Sequence, residues 1–365
     1  MNFDFQSEWQ TWIDLESKKR FAPPPGSSRQ FVAQADRLFS SRLSFLFFFW
    51  EAQQATLFGQ DMCQTVFDLR LHLPCEEYLW NAETPAEWYD GLDGLPESLG
   101  FLDTLKIFFD CRRQPPALAP FNAVLILYGL VAVGLDLQKS APPSVDDMTS
   151  KQGKLSRAFE IWRGQYETLM PQVLTQQLYQ RVVLIYHMAH IALHTNQRDV
   201  LAVAGDRRLS KSDPDDFYRA KQEVQQWVNL PSAQIAAWHA VQILLRYLSS
   251  PHDHRDDFYS CWSSYIAALI CWAYGHLSPP NLGPGGVMEV EDEPYWDLQQ
   301  EMRIYLQQMN TETWESLAHV RRHKRRTGGL LAVLGDSLKL ARWGLLQDSL
   351  AILKGLGLAR TVKGA

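Results

Sequence analysis

Ala123-Val124-Leu125-Ile126-Leu127-Tyr128-Gly129-Leu130-Val131-Ala132-Val133-Gly134-Leu135 is the longest apolar run in the chain. At 13 residues it falls short of the roughly 20 that a membrane-spanning helix needs. The run therefore predicts a helix buried inside a protein core. Reading outward from it, apolar residues recur three and four apart over residues 4–20, 151–169, 172–195, 214–228, 232–249, 257–277, 291–309, 312–323 and 330–354. No stretch alternates convincingly as a strand would. Start signals agree. Thr84-Pro85-Ala86-Glu87 has Thr at the N-cap, Pro at the first helical position and a capping-box Glu. Asp213-Pro214-Asp215-Asp216 repeats the cap, proline and acidic first turn. The expectation is an all-α protein, one large multi-helix body over residues 1–365.

The 365 residues are 46% hydrophobic and 21% charged, an ordinary globular composition. Lys plus Arg is 35 and Asp plus Glu is 41, a net charge of −6. Such a surface is poorly suited to coating nucleic acid. The five cysteines (Cys63, Cys75, Cys111, Cys261, Cys271) are odd in number and scattered, with no CxxC pair. They predict neither a disulfide framework nor a zinc finger, and they point to a reducing compartment. The N-terminus lacks the order of a signal peptide.

Helix-breaking segments divide the chain. Pro23-Pro24-Pro25-Gly26-Ser27-Ser28 ends the first helical pattern, and residues 140–153 and 279–289 read as exposed linkers. No internal repeat of fixed period occurs, so a regular solenoid has no support. Aromatic residues surround much of the helix from Phe258 to Tyr274 and predict a thick core filled by large rings.

Chemistry-bearing clusters are few. His187, His190 and His194 share one helix face at spacings of three and four, as metal ligands would. No carboxylate occupies the Glu position of an H-E-x-x-H site and the interleaved residues are apolar, so hydrogen-bonded core histidines are the expectation. His252-Asp253-His254-Arg255-Asp256-Asp257 precedes a helix and reads as its capping turn. Asp213 to Asp216 lacks the second motif of a paired-magnesium site. There is no G-x-S-x-G, P-loop or G-x-G-x-x-G. A basic run, Arg321, Arg322, His323, Lys324, Arg325 and Arg326, stands out against the acidic whole. It is either a solvated helix end or a nuclear-import or phosphate-contacting patch.

Several blocks carry a resemblance. Trp9, Trp12, Glu16, Arg20 and Phe21 lie on one helix, with Glu16 and Arg20 a turn apart. Trp50-Glu51-Ala52-Gln53-Gln54-Ala55 continues to Leu57-Phe58-Gly59, and Leu73-Pro74-Cys75 leads to Leu79-Trp80, Thr84 and Glu87-Trp88. Gly329-Leu330-Leu331 and Arg342-Trp343-Gly344-Leu345-Leu346 follow near the C-terminus. Together these resemble the fungal-specific transcription factor domain, in the branch with two-Cys, two-His fingers upstream.

The resemblance implies the regulatory region of a fungal nuclear transcription factor governing a metabolic or secondary-metabolite gene cluster. It implies no catalysis, no cofactor in this chain, and zinc only in an upstream finger region. Its partners would be transcription machinery or co-regulators and a second copy of the chain, with no membrane. DNA would be reached only through the missing fingers. Residues 23–43 depart from the family pattern and read as an insertion or retained intron. The rival readings are a finger-less helical interaction protein and a helical metal-dependent enzyme using the three histidines.

Overall fold

The computed structural model describes residues 29–358, except 75–76, 81–86, 88–89, 92–98, 111–112, 141–150, 168–174, 207–213, 250–256, 279–296 and 321–323. It is all-α. The helices are α1 (Arg29–Phe58), α2 (Glu77–Trp80), α3 (Phe101–Asp110), α4 (Pro120–Ser140), α5 (Lys151–Tyr166), α6 (Gln176–His194) and α7 (Gln197–Ala204). They continue as α8 (Pro214–Trp227), α9 (Pro231–Ser249), α10 (Phe258–His276), α11 (Leu298–Met309), α12 (Gly328–Leu338) and α13 (Gly344–Leu358). Short 3-10 turns occupy Val66–Asp68 and Trp314–His319. Among the described residues the only extended pairing is one antiparallel bridge, His72 with Gly100.

The chain forms two compact units. The first comprises Met1–Gln53, Met62–Val133 and Arg157–Val173. Its core is aromatic. Phe45 and Phe48 of α1 meet Phe101 of α3 edge-on at 5.1 and 5.8 Å, and Phe49 meets Tyr128 at 4.5 Å. Leu125, Ile126, Leu127, Tyr128 and Leu130 of α4 are fully buried. Gly129 is there because a Cβ would lie 2.8 Å from Leu105 Cδ2 and 2.9 Å from Phe101 Cζ. By length and composition α4 could cross a membrane, but most of its apolar window is covered by protein. The indole N–H of Trp162 donates to the Ala123 carbonyl at 2.8 Å, and Asn122 Nδ2 donates to the Pro74 carbonyl at 3.1 Å. These bonds satisfy polar groups that burial would otherwise penalise.

The second unit comprises Gln54–Asp61, Gly134–Ser156 and Leu174–Ala365. Here α9 and α10 pack on each other, and α6 packs on α9. Helix α10 is buried almost all round, which its rings and small residues permit. Asp257 caps it, accepting from Tyr259 N–H at 3.1 Å and from Ser260 Oγ at 2.6 Å, while pairing with Arg181 at 2.7 Å. Asp297 caps α11 in the same way, accepting from Gln299 N–H.

Two of the expected helices are corrected, and described parts of two segments expected to be irregular are helical. Residues 29–43 of the expected insertion 23–43 are helical and form the first half of α1. The prolines stop at Pro25, and from Arg29 onward the segment has neither Pro nor Gly to break a helix. The linker expected at 140–153 is shorter, because Ser140 closes α4 and α5 starts at Lys151. The buried face Leu155, Ala158, Phe159 and Trp162 carries α5 back into that stretch. Residues 330–354 are two helices, and 312–323 contains only a 3-10 turn whose single buried side chain is Leu317. The helix expected at 4–20, the rest of the linker at 141–150 and the linker at 279–289 lie outside the described residues.

Candidate functional site

The histidine face of α6 is the most concentrated polar feature of the second unit. Thr175 starts the helix, its Oγ1 accepting from Leu178 N–H at 3.4 Å. The spacing of three and four then sets His187, His190 and His194 along one face, and all three are buried. Helix α9 adds His239, which sequence reasoning did not single out. Nothing in Ala237-Trp238-His239-Ala240 marks it beyond its place on an apolar helix.

The four rings make a layer. His187 Nδ1 and His239 Nδ1 are 2.9 Å apart, so one donates and the other accepts. His239 stacks on His190 at 4.0 Å with planes 8° apart, and His190 stacks on His194 at 6.0 Å and 9°. Tyr186 meets His187, His190 and His239 edge-on. Burial pushes the His194 imidazole down to about 4, so it is neutral at neutral pH. Parallel stacking turns ring nitrogens outward around the stack instead of converging them on one point. Among the described residues no group of three or more His, Cys, Asp or Glu side chains is placed to hold a metal ion.

Burial also favours the neutral forms of other titratable groups. Burial pushes the Cys271 thiol up to about 12 and raises Tyr305 and Tyr247 above the usual phenol range. Burial likewise raises Asp199. An inert thiol and uncharged phenols suit packing better than nucleophilic chemistry.

Three of the basic residues in the 321–326 run are tied into the second unit. Lys324 Nζ lies 5.6 Å from the centre of the Tyr274 ring, an Arg325 guanidinium N–H donates to the Ser278 carbonyl at 2.9 Å, and Arg326 is 6% exposed. Arg321 and Arg322 lie outside the described residues. So do Trp9, Trp12, Glu16, Arg20, Cys75 and Trp88, together with His252, His254 and Asp213. Leu79 is buried in the first unit against Gly91, and Trp80 ends α2. Trp343 is 40% exposed and meets Phe258 edge-on at 5.3 Å. Asp215 and Asp216 open α8, where Asp216 pairs with Arg219 at 3.4 Å.

Residues 24–164 match the fungal specific transcription factor domain. The match starts at Pro24 and so includes the segment expected to be an insertion. The chain is 27% identical to Zinc finger protein klf1 of Schizosaccharomyces pombe, over 96% of this chain and 43% of that protein. It is 26% identical to the Nicotinate catabolism cluster-specific transcription factor of Emericella nidulans, over 87% of this chain and 38% of that protein. Zinc finger protein zas1 of Schizosaccharomyces pombe is 24% identical over 73% of this chain and 29% of its own length. The chain thus spans less than half the length of these relatives. No solved structure matches it.

Proposed function

We propose that the chain is the regulatory region of a fungal nuclear transcription factor that controls a metabolic or secondary-metabolite gene cluster. The observation that carries this reading is the family match over residues 24–164. The relative named for a nicotinate catabolism cluster supports the metabolic part. In this reading the helical body is not a catalyst. It tunes DNA binding or activation through intramolecular contact, self-association or recruitment of co-regulators. DNA is read by zinc fingers elsewhere in a longer protein, and zinc is held there.

The charge of the chain supports that division of labour. Duplex DNA is bound by releasing its counterions to clustered Lys and Arg, and this chain has a net charge of −6. Part of its one basic run is committed to packing on Tyr274 and Ser278. A gel-shift titration of this chain should give only non-specific binding, on the order of 10⁻⁴ M or weaker at physiological salt. Sub-micromolar preference for one sequence over scrambled duplex would contradict the reading.

A further inference from the structure

We propose that the basic run is a nuclear-import signal kept latent by its own fold. Residues 324–327 lie docked on the C-terminal end of α10, and an import adaptor reads them only after they lift away. The inference rests on the nuclear reading above and adds a switch to it. All three cations in the described half of the run are engaged. Lys324 Nζ lies 5.6 Å from the centre of the Tyr274 ring, and an Arg325 guanidinium N–H donates to the Ser278 carbonyl at 2.9 Å. Arg326 and Thr327 are buried.

The backbone is docked as well as the side chains. A Cβ on Gly275 would overlap the Lys324 carbonyl and come within 3.3 Å of Arg325 Cα, so the two segments meet at the residue without a side chain. The helix end favours this arrangement, because its last carbonyls attract cations. Ser278 is buried and its Oγ donates to the Tyr274 carbonyl, which fixes the acceptor that Arg325 uses. Both flanks are anchored too. Upstream, Leu317 is buried and Trp238 Nε1 donates to the Thr311 carbonyl at 2.9 Å. Downstream, Thr327 has helical backbone at φ −90° and ψ −1°, and α12 follows at once.

The chemistry of the run selects the partner. Five of its six residues are Lys or Arg, which complements a groove lined with carboxylates. To fill such a groove, successive side chains must project from an extended backbone, where they point to alternate sides. In the docked state they are turned onto Tyr274 and Ser278, and the segment ends in a helical residue. Duplex DNA is the less suitable partner. Its long polyanion meets the field of a chain carrying −6, whereas a peptide groove meets the run alone. Affinity for the adaptor then depends on how often the segment opens. If it is open about 1% of the time, the chain binds about a hundredfold more weakly than the free segment.

The test is a calorimetric titration of a purified import adaptor that takes basic signals. Its ligands are the full chain, a synthetic peptide of residues 319–328, and the same peptide with every Lys and Arg replaced by Ala. The peptide should bind at least about tenfold more tightly than the folded chain, and the alanine peptide should not bind. Gly275→Ala and Tyr274→Leu weaken the docking in different ways. Either variant that keeps a cooperative melt should bind about tenfold more tightly than wild type. The comparison of peptide with wild-type chain needs no variant, so it decides the matter even where a variant fails to fold. Equal binding by peptide and folded chain would overturn the proposal. So would a peptide no better than its alanine form, folded variants as weak as wild type, or a peptide that takes up duplex DNA and not the adaptor. Such a failure leaves the transcriptional reading standing, because that reading is tested by transcript level and not by import.

Discussion

Trp262 Nε1 donates to the backbone carbonyl of Leu57 at 2.7 Å, joining residues 205 apart in the chain. The indole is 1% exposed and packs against Phe58 at 5.0 Å and Phe258 at 5.9 Å. The bond pairs one of the last carbonyls of α1, which the helix cannot satisfy itself. Trp262→Ala should cost ~3–5 kcal/mol through lost packing and the cavity it leaves. Trp262→Phe keeps most of the volume but strands the carbonyl, at about 1–3 kcal/mol. Denaturant unfolding of both variants checks the order. Wild-type midpoints for both would refute this arrangement of the second unit.

Gly275 and Gly164 should respond in opposite ways to alanine. A Cβ on Gly275 would overlap the backbone carbonyl of Lys324, whereas one on Gly164 meets nothing within 4 Å. Backbone cannot move aside as a flexible side chain can, so Gly275→Ala should destabilise by about 1–3 kcal/mol. Gly164→Ala, inside α5, should be neutral or stabilise by about 0.5–1 kcal/mol. Thermal melting of the pair reads the difference. Equal shifts would mean that residue 324 does not approach α10.

Acid should weaken the fold through His194. Its pKa falls from 6.5 to about 4 in the folded chain because burial penalises the charged ring. The unfolded chain thus binds the proton more readily, and stability declines as pH falls from about 6.5 to 4. The loss from this residue is on the order of 3 kcal/mol, complete below the folded pKa and absent above pH 7. His194→Gln, which carries no titrating group, should flatten that part of the profile. A variant profile as steep as wild type between those limits would contradict the assignment.

Helix α1 can be tested where the sequence expectation and the structure part company. Ala35→Pro places a proline in the body of the helix and should cost about 3 kcal/mol. If the protein melts unchanged, the segment is an appended insertion after all.

Most helices were legible because their apolar periodicity is strong. The expected helix at 214–228 is α8 at Pro214–Trp227, and 232–249 is α9 at Pro231–Ser249. The misreadings share a cause. Pro23 to Gly26 coloured the reading of the helical residues that follow them. Periodicity also continues across the break at residues 339–343, where Lys339 N–H turns back to the Gly335 carbonyl. The pattern records which faces are apolar and is silent about a local change in backbone direction. In the histidine layer, the three residues of α6 were visible from their spacing alone. His239 was not, because its partnership is purely tertiary.

Tethering this chain to a heterologous DNA-binding module upstream of a reporter, in fungal cells, tests the regulatory assignment most directly. The readout is transcript level compared with the module alone and with a fusion to the destabilised Trp262→Ala chain. The wild-type fusion should change reporter transcription severalfold in either direction, and the Trp262→Ala fusion should lose that effect. A soluble, DNA-bound wild-type fusion that leaves transcription where the module alone sets it would contradict the assignment.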